Sequence, residues 1–539
     1  MKKFWRSGDP YVWLTGAALA LSLLLVAGLV FLVLVNGLGF FWPKDVVRLT
    51  LSDGRVLMGE VAEREVIPQP GAPPGAPPAY RIKVKQGNRD LYGADFVWVD
   101  EAAIVQREWP EEAVVVERRE WGNLYGIIVA VTEGGRVVAE GSNAGWDALQ
   151  DRLPEADRLF REIRRIEKDE IGMINYAQEQ LRLAVRKLEL RGVTGGPERA
   201  RIEREVAEWQ AKYEAQVAAL GALRQQLRSS VAVAAAGGLA KDLPLALVVR
   251  AYRPNTMGVG AKAGLYLSRV WEFVAHEPRE ANTEGGVFPA IFGTVMMVVL
   301  MSIAVTPLGV VAALYLREYA RQGAFVSIVR IAVNNLAGVP SIVFGVFGVG
   351  FFIYFVGGTL DRVLYPEALP TPTFGTGGIL WASLTLALLT VPVVIVATEV
   401  GLAAIPRAVR EASLALGATK FETTWRIVLP SVMPSILTGL ILAIARAAGE
   451  VAPLMITGVV KLAPALPIDA LWPYAHLERK FMHLGFHIYD VGFQSPNVDA
   501  ARPMVFATTL LLLAIVVMLN LTAIALRNRF RRQYAASGV

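Results

Sequence analysis

The stretch from Glu411 to Pro430 combines small residues, a glycine and a proline at spacings that suit a contact with another protein. It reads Glu411-Ala-Ser-Leu-Ala-Leu-Gly417, then nine residues, then Ile427-Val-Leu-Pro430. This pattern predicts a short helix, a break at the glycine and a second helix that stops at the proline. Such a surface helix can enter a groove on a partner, although an ordinary connecting loop is the alternative. The residues we assign to this contact are Glu411, Ala412, Ser413, Gly417, Ile427, Leu429 and Pro430.

Arg446 and Glu450 interrupt an apolar stretch, Ser431 to Val460, at i and i+4. This spacing predicts that both side chains lie on one helix face near the middle of a membrane. Charges at that depth are costly and mark function by default. The forked guanidinium suits an oxyanion, and Glu450 would compete with that anion. The alternative is an ion pair that only locks the helix against a neighbour.

Polar residues beside a helix break could complete a path for the anion. Asn335 and Ser341 flank Gly338-Val-Pro340 inside another apolar stretch. Irregular backbone at that depth is tolerated only where protein or a cavity covers it. We assign both residues to the pathway, and small-residue helix packing is the alternative for the glycine.

Six apolar stretches are long enough to cross a hydrocarbon core, which needs about 20 helical residues. The hydrophobic fraction of the 539 residues is 54%, which fits a membrane protein. We predict a retained first helix within residues 1–43 rather than a cleaved signal peptide, because its apolar run is too long. The other predicted helices cover about 287–316, 331–358, 377–398, 435–460 and 503–526, with a loop at 399–434.

The basic residues predict the orientation. They precede the first stretch at Lys2, Lys3 and Arg6, and others follow the second and fourth stretches and close the chain. With six spans all of these groups fall on one side, which is therefore cytoplasmic. Both termini are then inside, and residues 44–285 lie outside the cytoplasm.

The large segment between the first two spans changes character along its length. Residues 44–145 show short alternating runs typical of strands, and the tract Pro68 to Pro78 is a loop. Residues 146–230 show apolar residues at three- and four-residue steps, interrupted by Gly195-Gly-Pro. This predicts an antiparallel coiled-coil hairpin with arms of roughly 30 residues, each about 45 Å long. The hairpin is a docking arm for a partner, or else a passive spacer or a packing surface for a homologous subunit. Residues 231–285 return the chain to the membrane.

Several site classes are excluded or disfavoured. With no cysteine, the chain has no disulfide or thiolate metal site. A phosphate-binding Gly-x-x-x-x-Gly-Lys-Ser/Thr loop is missing, so ATP hydrolysis needs another chain. The net charge of +6 lacks the basic stripe with interleaved aromatics of nucleic-acid binders. His476, His483 and His487 are spaced too loosely for a metal site and predict a surface cap.

The spacing of the Glu411–Pro430 stretch resembles the EAA loop of ABC importer permeases, in which Ser413 replaces the usual third alanine. The stretches Arg279–Thr294, Ala313–Tyr319, Asn335–Gly348 and Ala445–Leu454 are similar to phosphate-specific transport permeases, nearer to the PstA than to the PstC type. The resemblance covers Arg279 to the C-terminus. An ABC permease for sulfate or molybdate is the nearest alternative, and a transmembrane receptor is a more distant one.

The resemblance implies an all-α polytopic fold of six transmembrane helices, the type I importer permease fold, with an α+β extracytoplasmic insert. It also implies that the Glu411–Pro430 stretch forms the coupling helix. The expected partners are a PstC-like second permease, a PstB-like dimer of ATP-binding subunits, a periplasmic phosphate-binding protein and membrane lipid. ATP and Mg would be bound by the ATPase, so we expect no cofactor in this chain and no catalytic centre.

Overall fold

The structure is a computed structural model that describes residues 8–68, 77–495 and 498–536. The chain divides into two compact units. The membrane unit comprises the described parts of residues 1–40, 287–495 and 502–539, and the insert comprises those of 41–286 and 496–501. Lys2, Lys3 and Arg6, and most of the predicted loop from Pro68 to Pro78, lie outside the described residues.

The first helix, α1 (Asp9–Gly39), has Pro10 in its first turn, where the missing N–H costs no hydrogen bond. Leu, Val and Ala dominate the rest, and nearly all of these side chains are exposed. An apolar helix about 46 Å long with an exposed apolar surface suits a lipid environment.

The insert begins with an antiparallel sheet of the order β4-β3-β2-β1-β5. Its strands are β1 (Val46–Leu51), β2 (Val56–Val66), β3 (Tyr80–Lys85), β4 (Phe96–Asp100) and β5 (Ile104–Glu108). Alternating apolar residues bury one face of this sheet, including Leu49, Ile82 and Val84.

A second antiparallel sheet has the order β10-β9-β7-β6-β11, and β8 also pairs with β7. Its strands are β6 (Val114–Arg118), β7 (Leu124–Glu133), β8 (Arg136–Glu140), β9 (Ser229–Ala234), β10 (Ala240–Pro244) and β11 (Val248–Tyr252). Val231 and Val233 of β9 are buried in the same core as Val114 and Ile128. The interpretation of residues 231–285 as a simple return segment is therefore wrong, because they complete this sheet.

The predicted hairpin consists of one long helical arm and one shorter arm. The first arm comprises α2 (Ser142–Arg165), a π-helical turn (Ile166–Glu170) and α3 (Ile171–Leu190), and the second arm is α4 (Pro197–Gln226). The first arm exceeds the predicted 30 residues because its base packs on the second sheet, where Leu149 and Ala156 join Ile128 in the core. Residues 259–275 form α5 (Val259–Ala275).

The membrane unit continues with α6 (Phe288–Tyr319, ending in a π-helical turn), α7 (Ala324–Leu336), α8 (Ser341–Leu364, with a π-helical middle) and α9 (Ile379–Ala404). Then follow α10 (Arg407–Ala415), α11 (Lys420–Thr423), α12 (Leu429–Ala447), α13 (Ala452–Thr457), α14 (Leu484–Tyr489) and α15 (Val498–Ala536). Within the described residues, six helices are long and apolar enough to cross a membrane, which confirms the predicted number.

Several predicted boundaries are wrong. The third span begins at Ser341 instead of residue 331, because Pro340 separates α7 from α8. The fifth ends at Ala447 instead of residue 460, because a turn precedes α13. The predicted loop 399–434 is mostly helical, and the helix does not stop at Pro430. The π-helical turn Thr424–Val428 lies just before that proline and joins α11 to α12.

The core of the membrane unit forms around α9, which is the most deeply buried of these long helices. Glycines allow its neighbours to approach closely. A β-carbon on Gly309 of α6 would lie 2.6 Å from Val394, and one on Gly439 of α12 would lie 2.7 Å from Ala397. Apolar side chains of α6, α9 and α12, such as Met301, Leu386 and Ala443, fill the space between these contacts.

Candidate functional site

The segment of residues 407–428 forms a helix–turn–helix, here named the corner segment. Its first helix, α10, ends at a turn in which the N–H groups of Leu416, Gly417 and Ala418 donate to the carbonyls of Ala412, Leu414 and Ser413. Gly417 has φ of +87°, a left-handed conformation that favours glycine. The turn therefore explains the glycine in the Glu411–Pro430 stretch.

The second helix starts with a capping box that the sequence analysis missed. The Thr419 hydroxyl accepts from the Glu422 N–H at 3.2 Å, and the Glu422 carboxylate accepts from the Thr419 N–H at 2.9 Å. The pattern Thr-Lys-Phe-Glu was a readable signal for this helix start. Together with Gly417, it fixes a sharp corner between α10 and α11.

Ser413 is a structural residue of this corner. Its side chain is buried, and its hydroxyl forms a 2.9 Å hydrogen bond with the hydroxyl of Thr423 in α11. The bond joins the two helices across the turn. The serine that departs from the usual motif is thus paired with a second hydroxyl that an alanine could not engage.

The outer surface of the corner segment is apolar and uncovered. Leu416 is 89% exposed, Phe421 66% and Trp425 61%. The rings of Phe421 and Trp425 stack at 6.2 Å with an interplanar angle of 9°. Glu411 and Ala412 are also exposed. Exposed aromatic and aliphatic residues on a rigid support are typical of a protein-binding surface.

The inner surface is held by ionic contacts to the end of α6. Arg410 donates to the Glu318 carboxylate at 2.8 Å and to the carbonyls of Leu402 and Ile405. Lys420 donates to the Glu318 carbonyl, and its ammonium lies 4.8 Å from the ring centre of Tyr319. Glu318 could not be identified from the sequence, because 92 positions separate it from Arg410 and 102 from Lys420.

The end of the segment is fixed by apolar packing. Val428 is buried with Val432 and Ile436 against Leu402 of α9, and Leu429 packs on the same cluster. Ile427 and Pro430 are half-buried. The predicted residues of the stretch therefore divide into an exposed group, Glu411, Ala412 and Gly417, and a packed group, Ser413, Ile427, Leu429 and Pro430.

Arg446 and Glu450 do not share one helix face as predicted. Arg446 lies in the last turn of α12, and Glu450 follows in the turn before α13. The Arg446 Nε and Glu450 Oε1 atoms are 3.8 Å apart, and the side chains are 31% and 21% exposed. This is a loose ion pair without a hydrogen bond, which leaves most guanidinium donors open.

Asn335 and Ser341 lie on either side of the break between α7 and α8. Asn335 is exposed near the end of α7, and Ser341 is the half-buried first residue of α8. In the described part of the chain, no hydrogen bond or ion pair joins them to Arg446 or Glu450. However, α8 packs closely on α13, which follows Glu450, because a β-carbon on Gly345 would lie 2.8 Å from the Pro453 Cα.

The histidines are buried, so the prediction of a surface cap is wrong. His476, His483 and His487 are each at most 2% exposed. Asp469 and Glu478 lie 3.1 and 3.3 Å from His476, and burial lowers the pKa of His483 to about 3. Among the described residues, no group of three acidic or histidine side chains is placed to hold a metal ion.

Known proteins resemble the membrane unit. Residues 305–532 match the family model described as binding-protein-dependent transport system inner membrane component. The phosphate transport system permease protein PstA of Mycobacterium leprae is 36% identical over 204 residues, 37% of this chain and 61% of that protein. PstA of Yersinia pestis is 36% identical over 187 residues, 35% and 57% of the two chains.

A third relative matches over more of its length. The probable ABC transporter permease protein YqgI of Bacillus subtilis is 28% identical over 258 residues, 47% of this chain and 81% of that protein. By contrast, this chain spans about three fifths of the two PstA proteins. Residues 305–532 are thus similar to PstA permeases and match the model of the binding-protein-dependent transport inner membrane component family.

Proposed function

We propose that this chain is a permease subunit of an ATP-driven importer that carries inorganic phosphate across the bacterial inner membrane. The observation that carries the proposal is the corner segment. Its outer side presents Leu416, Phe421 and Trp425, and its inner side is tied to α6 through Arg410 and Glu318. A partner that moves this corner would move α6 with it. The names of the PstA relatives support phosphate as the substrate.

The corner segment is proposed to lie in the cytoplasm. Arg317 lies in the last turn of α6 and Arg321 just beyond it. These two, four basic residues of the corner segment and four at the end of α15 fall on the same side if six helices cross the membrane. The insert is then periplasmic and both termini are cytoplasmic. ATP is available on the cytoplasmic side, where the corner segment would meet its ATPase.

The proposed assembly contains a PstC-like permease, a PstB-like ATPase dimer that binds ATP and Mg, and a periplasmic phosphate-binding protein. The exposed apolar surfaces of the membrane helices are consistent with contacts to a second permease and to lipid. The chain itself performs no catalysis in this scheme. Its task is to transmit movement from the ATPase to the path of the anion.

Arg446 is the proposed anion contact. Its loose pairing with Glu450 leaves guanidinium donors for phosphate oxygens, and the carboxylate would restore neutrality when the path is empty. Asn335 and Ser341 are proposed to add polar contacts at the neighbouring helix break. Because α12 joins the corner segment to Arg446, movement at the corner has a short covalent route to this residue.

The decisive experiment is uptake of labelled phosphate by proteoliposomes that contain the whole assembly, with the binding protein outside and ATP inside. Uptake should require both and should resist a large excess of sulfate or molybdate. Uptake of labelled sulfate at the same rate would overturn the assignment of phosphate. Normal uptake without ATP would overturn the importer assignment altogether.

A further inference from the structure

A groove runs along one side of α6 near the corner segment. Its deeper part is a cavity of about 400 Å³ between α6 and α7, with Ile395 of α9 among its lining residues. A shallower part extends beside Pro307 and shares Ala312 and Tyr315 with the cavity. The two parts are therefore adjacent along α6, and together they are named the groove.

The length of this groove matches one membrane leaflet. Pro307 to Tyr319 is continuous helix with a rise of about 18 Å, and Arg321 follows two residues beyond its end. Half of a bilayer with its headgroup region measures roughly 20–22 Å. A protein helix of the same length and 10–12 Å diameter occupies on the order of 1,600 Å³ or more. This volume exceeds that of the two parts of the groove together, about 400 and 480 Å³. A narrower occupant fits better.

The charge at one end of the groove indicates the chemistry of that occupant. Arg321 lines the cavity, is exposed, and makes no ion pair or hydrogen bond in the described part of the chain. Two acidic side chains in this region already have partners. Glu318 forms an ion pair with Arg410, and Glu399 forms one with Arg330. An anion from outside the protein can therefore pair with Arg321 without competition from these carboxylates.

The remaining lining favours a hydrocarbon chain. Val326, Val329 and Val333 of α7 face the cavity, and Tyr315 lines both parts while remaining 61% exposed. Tyrosines at the level of the headgroups are typical of a membrane–water interface, and arginines there attract anionic lipids. An apolar groove that ends at an unpaired arginine is the complement of a phospholipid.

We propose that this groove binds one anionic phospholipid, with an acyl chain between α6 and α7 and its phosphate at Arg321. This inference goes beyond phosphate transport. Only the assignment of the lipid to the cytoplasmic leaflet rests on the proposed orientation. The wall residue Leu316 also accepts hydrogen bonds through its carbonyl from Gln322 and Arg330. The lipid thus touches the same turn of α6 that holds the corner segment through Glu318.

The test uses the full chain in nanodiscs that contain photoactivatable phosphatidylglycerol or, in parallel, photoactivatable phosphatidylcholine, each with the label in the acyl chain. Phosphatidylglycerol should label peptides around Ala312 and Val333 preferentially. Arg321→Gln should lower that labelling about fivefold. Ala312→Phe fills the junction of the groove and should lower labelling by both lipids. Arg529→Gln changes an exposed arginine of α15 outside the groove and should have no effect.

Equal labelling by the two lipids, or labelling unaffected by Arg321→Gln, would overturn the proposal of an anionic site. Loss of all groove labelling when a second permease is co-assembled would show that a protein covers the groove, which also contradicts the lipid. The readout does not depend on transport. If the transported anion proved not to be phosphate, the lipid labelling of the groove would therefore be unaffected.

Discussion

The carboxylate of Glu318 at the end of α6 accepts a 2.8 Å hydrogen bond from the guanidinium of Arg410 in α10. The side chains are only 13% and 19% exposed, so solvent screens this pair less than a surface pair. The Glu318 carbonyl also accepts from Lys420 in α11. One residue of α6 therefore holds both helices of the corner segment.

We expect Glu318→Gln to weaken coupling between the ATPase and transport. The glutamine amide oxygen can still accept a hydrogen bond from Arg410, but the negative charge that makes such a bond worth roughly 1.5–3 kcal/mol is lost. ATP hydrolysis by the assembly should persist while phosphate uptake per ATP falls. Arg407→Gln is the matched control, because Arg407 is exposed in the same helix and makes no ion pair within the described residues. Unchanged uptake per ATP in Glu318→Gln would argue against transmission through this pair.

The hydrogen bond between Ser413 and Thr423 predicts a compensating pair of substitutions. Ser413→Ala should lower the free energy of unfolding by about 1–3 kcal/mol, because it leaves a buried hydroxyl unpaired. Ser413→Ala combined with Thr423→Val should recover most of that loss, since both polar groups are removed. Thermal unfolding of the purified chain measures both. An additive, larger loss in the double variant would contradict the proposed bond.

Arg446→Gln should abolish phosphate uptake while the complex still assembles. The substitution removes the positive charge and the forked donors proposed to contact the anion. Co-purification with the ATPase reports assembly, and Arg362→Gln serves as a control at an exposed arginine outside the proposed path. Uptake at the wild-type rate in Arg446→Gln would refute the anion contact.

The close packing of α8 on α13 predicts opposite outcomes for two glycines of α8. Gly345→Ala would place a β-carbon 2.8 Å from the Pro453 Cα, and such overpacking costs typically 1–3 kcal/mol. Gly350→Ala meets nothing within 4 Å and should be tolerated. The temperature at which each detergent-purified variant aggregates on heating distinguishes the two substitutions. Equal tolerance would mean that the helices can separate at Gly345.

A buried ionic cluster should make the insert sensitive to acid. Burial alone would raise the pKa of Glu117, but Arg269 and Arg250 outweigh it and hold this pKa below its usual value. The stabilisation is therefore present above about pH 4.5 and is lost as the pH falls through the lowered pKa. Glu117→Gln should cost roughly 3–5 kcal/mol at pH 7, and this difference should shrink in acid.

Hydrogen exchange of β6 and α5 in the full chain at pH 7 and near pH 3 measures this effect. Glu179→Gln is the control, because its ion pair with Arg182 is exposed on the hairpin and should contribute at most about 1 kcal/mol. A constant effect of Glu117→Gln at both pH values would mean that its carboxylate charge does not stabilise the insert.

The sequence predicted the features that depend on local composition. The six apolar runs form six long helices, and each run is long enough to cross the hydrocarbon core of a membrane. The short helix and glycine turn before Ala418 followed from residue types alone. The helix break at Gly338-Val-Pro340 was also predicted, but it was placed inside the third span instead of before it. The break after Ala447 was not predicted, because the apolar run continues through it. Nor could the sequence predict the continuous helix through Pro430, which depends on a π-helical turn just before it.

Contacts between residues far apart in the chain could not be predicted from the sequence either. Glu318 is an unremarkable acidic residue until folding places it beside Arg410. Likewise, Val231 joins the sheet of Val114 only after the whole hairpin has closed between them. A single sequence shows which residues are apolar but not which distant strand they pair with.

The two ends of the insert meet neighbouring residues of one helix. The ring centres of Phe41 and Phe273 are 5.2 Å apart, and the Phe41 carbonyl accepts a hydrogen bond from Arg269. Gly286 packs against the backbone of Glu272. An extra domain whose entry and exit coincide can be gained or lost without lengthening the connection between its host helices. A short bridge from Phe41 to Gly286 could therefore replace the insert in the chain and connect α1 directly to α6.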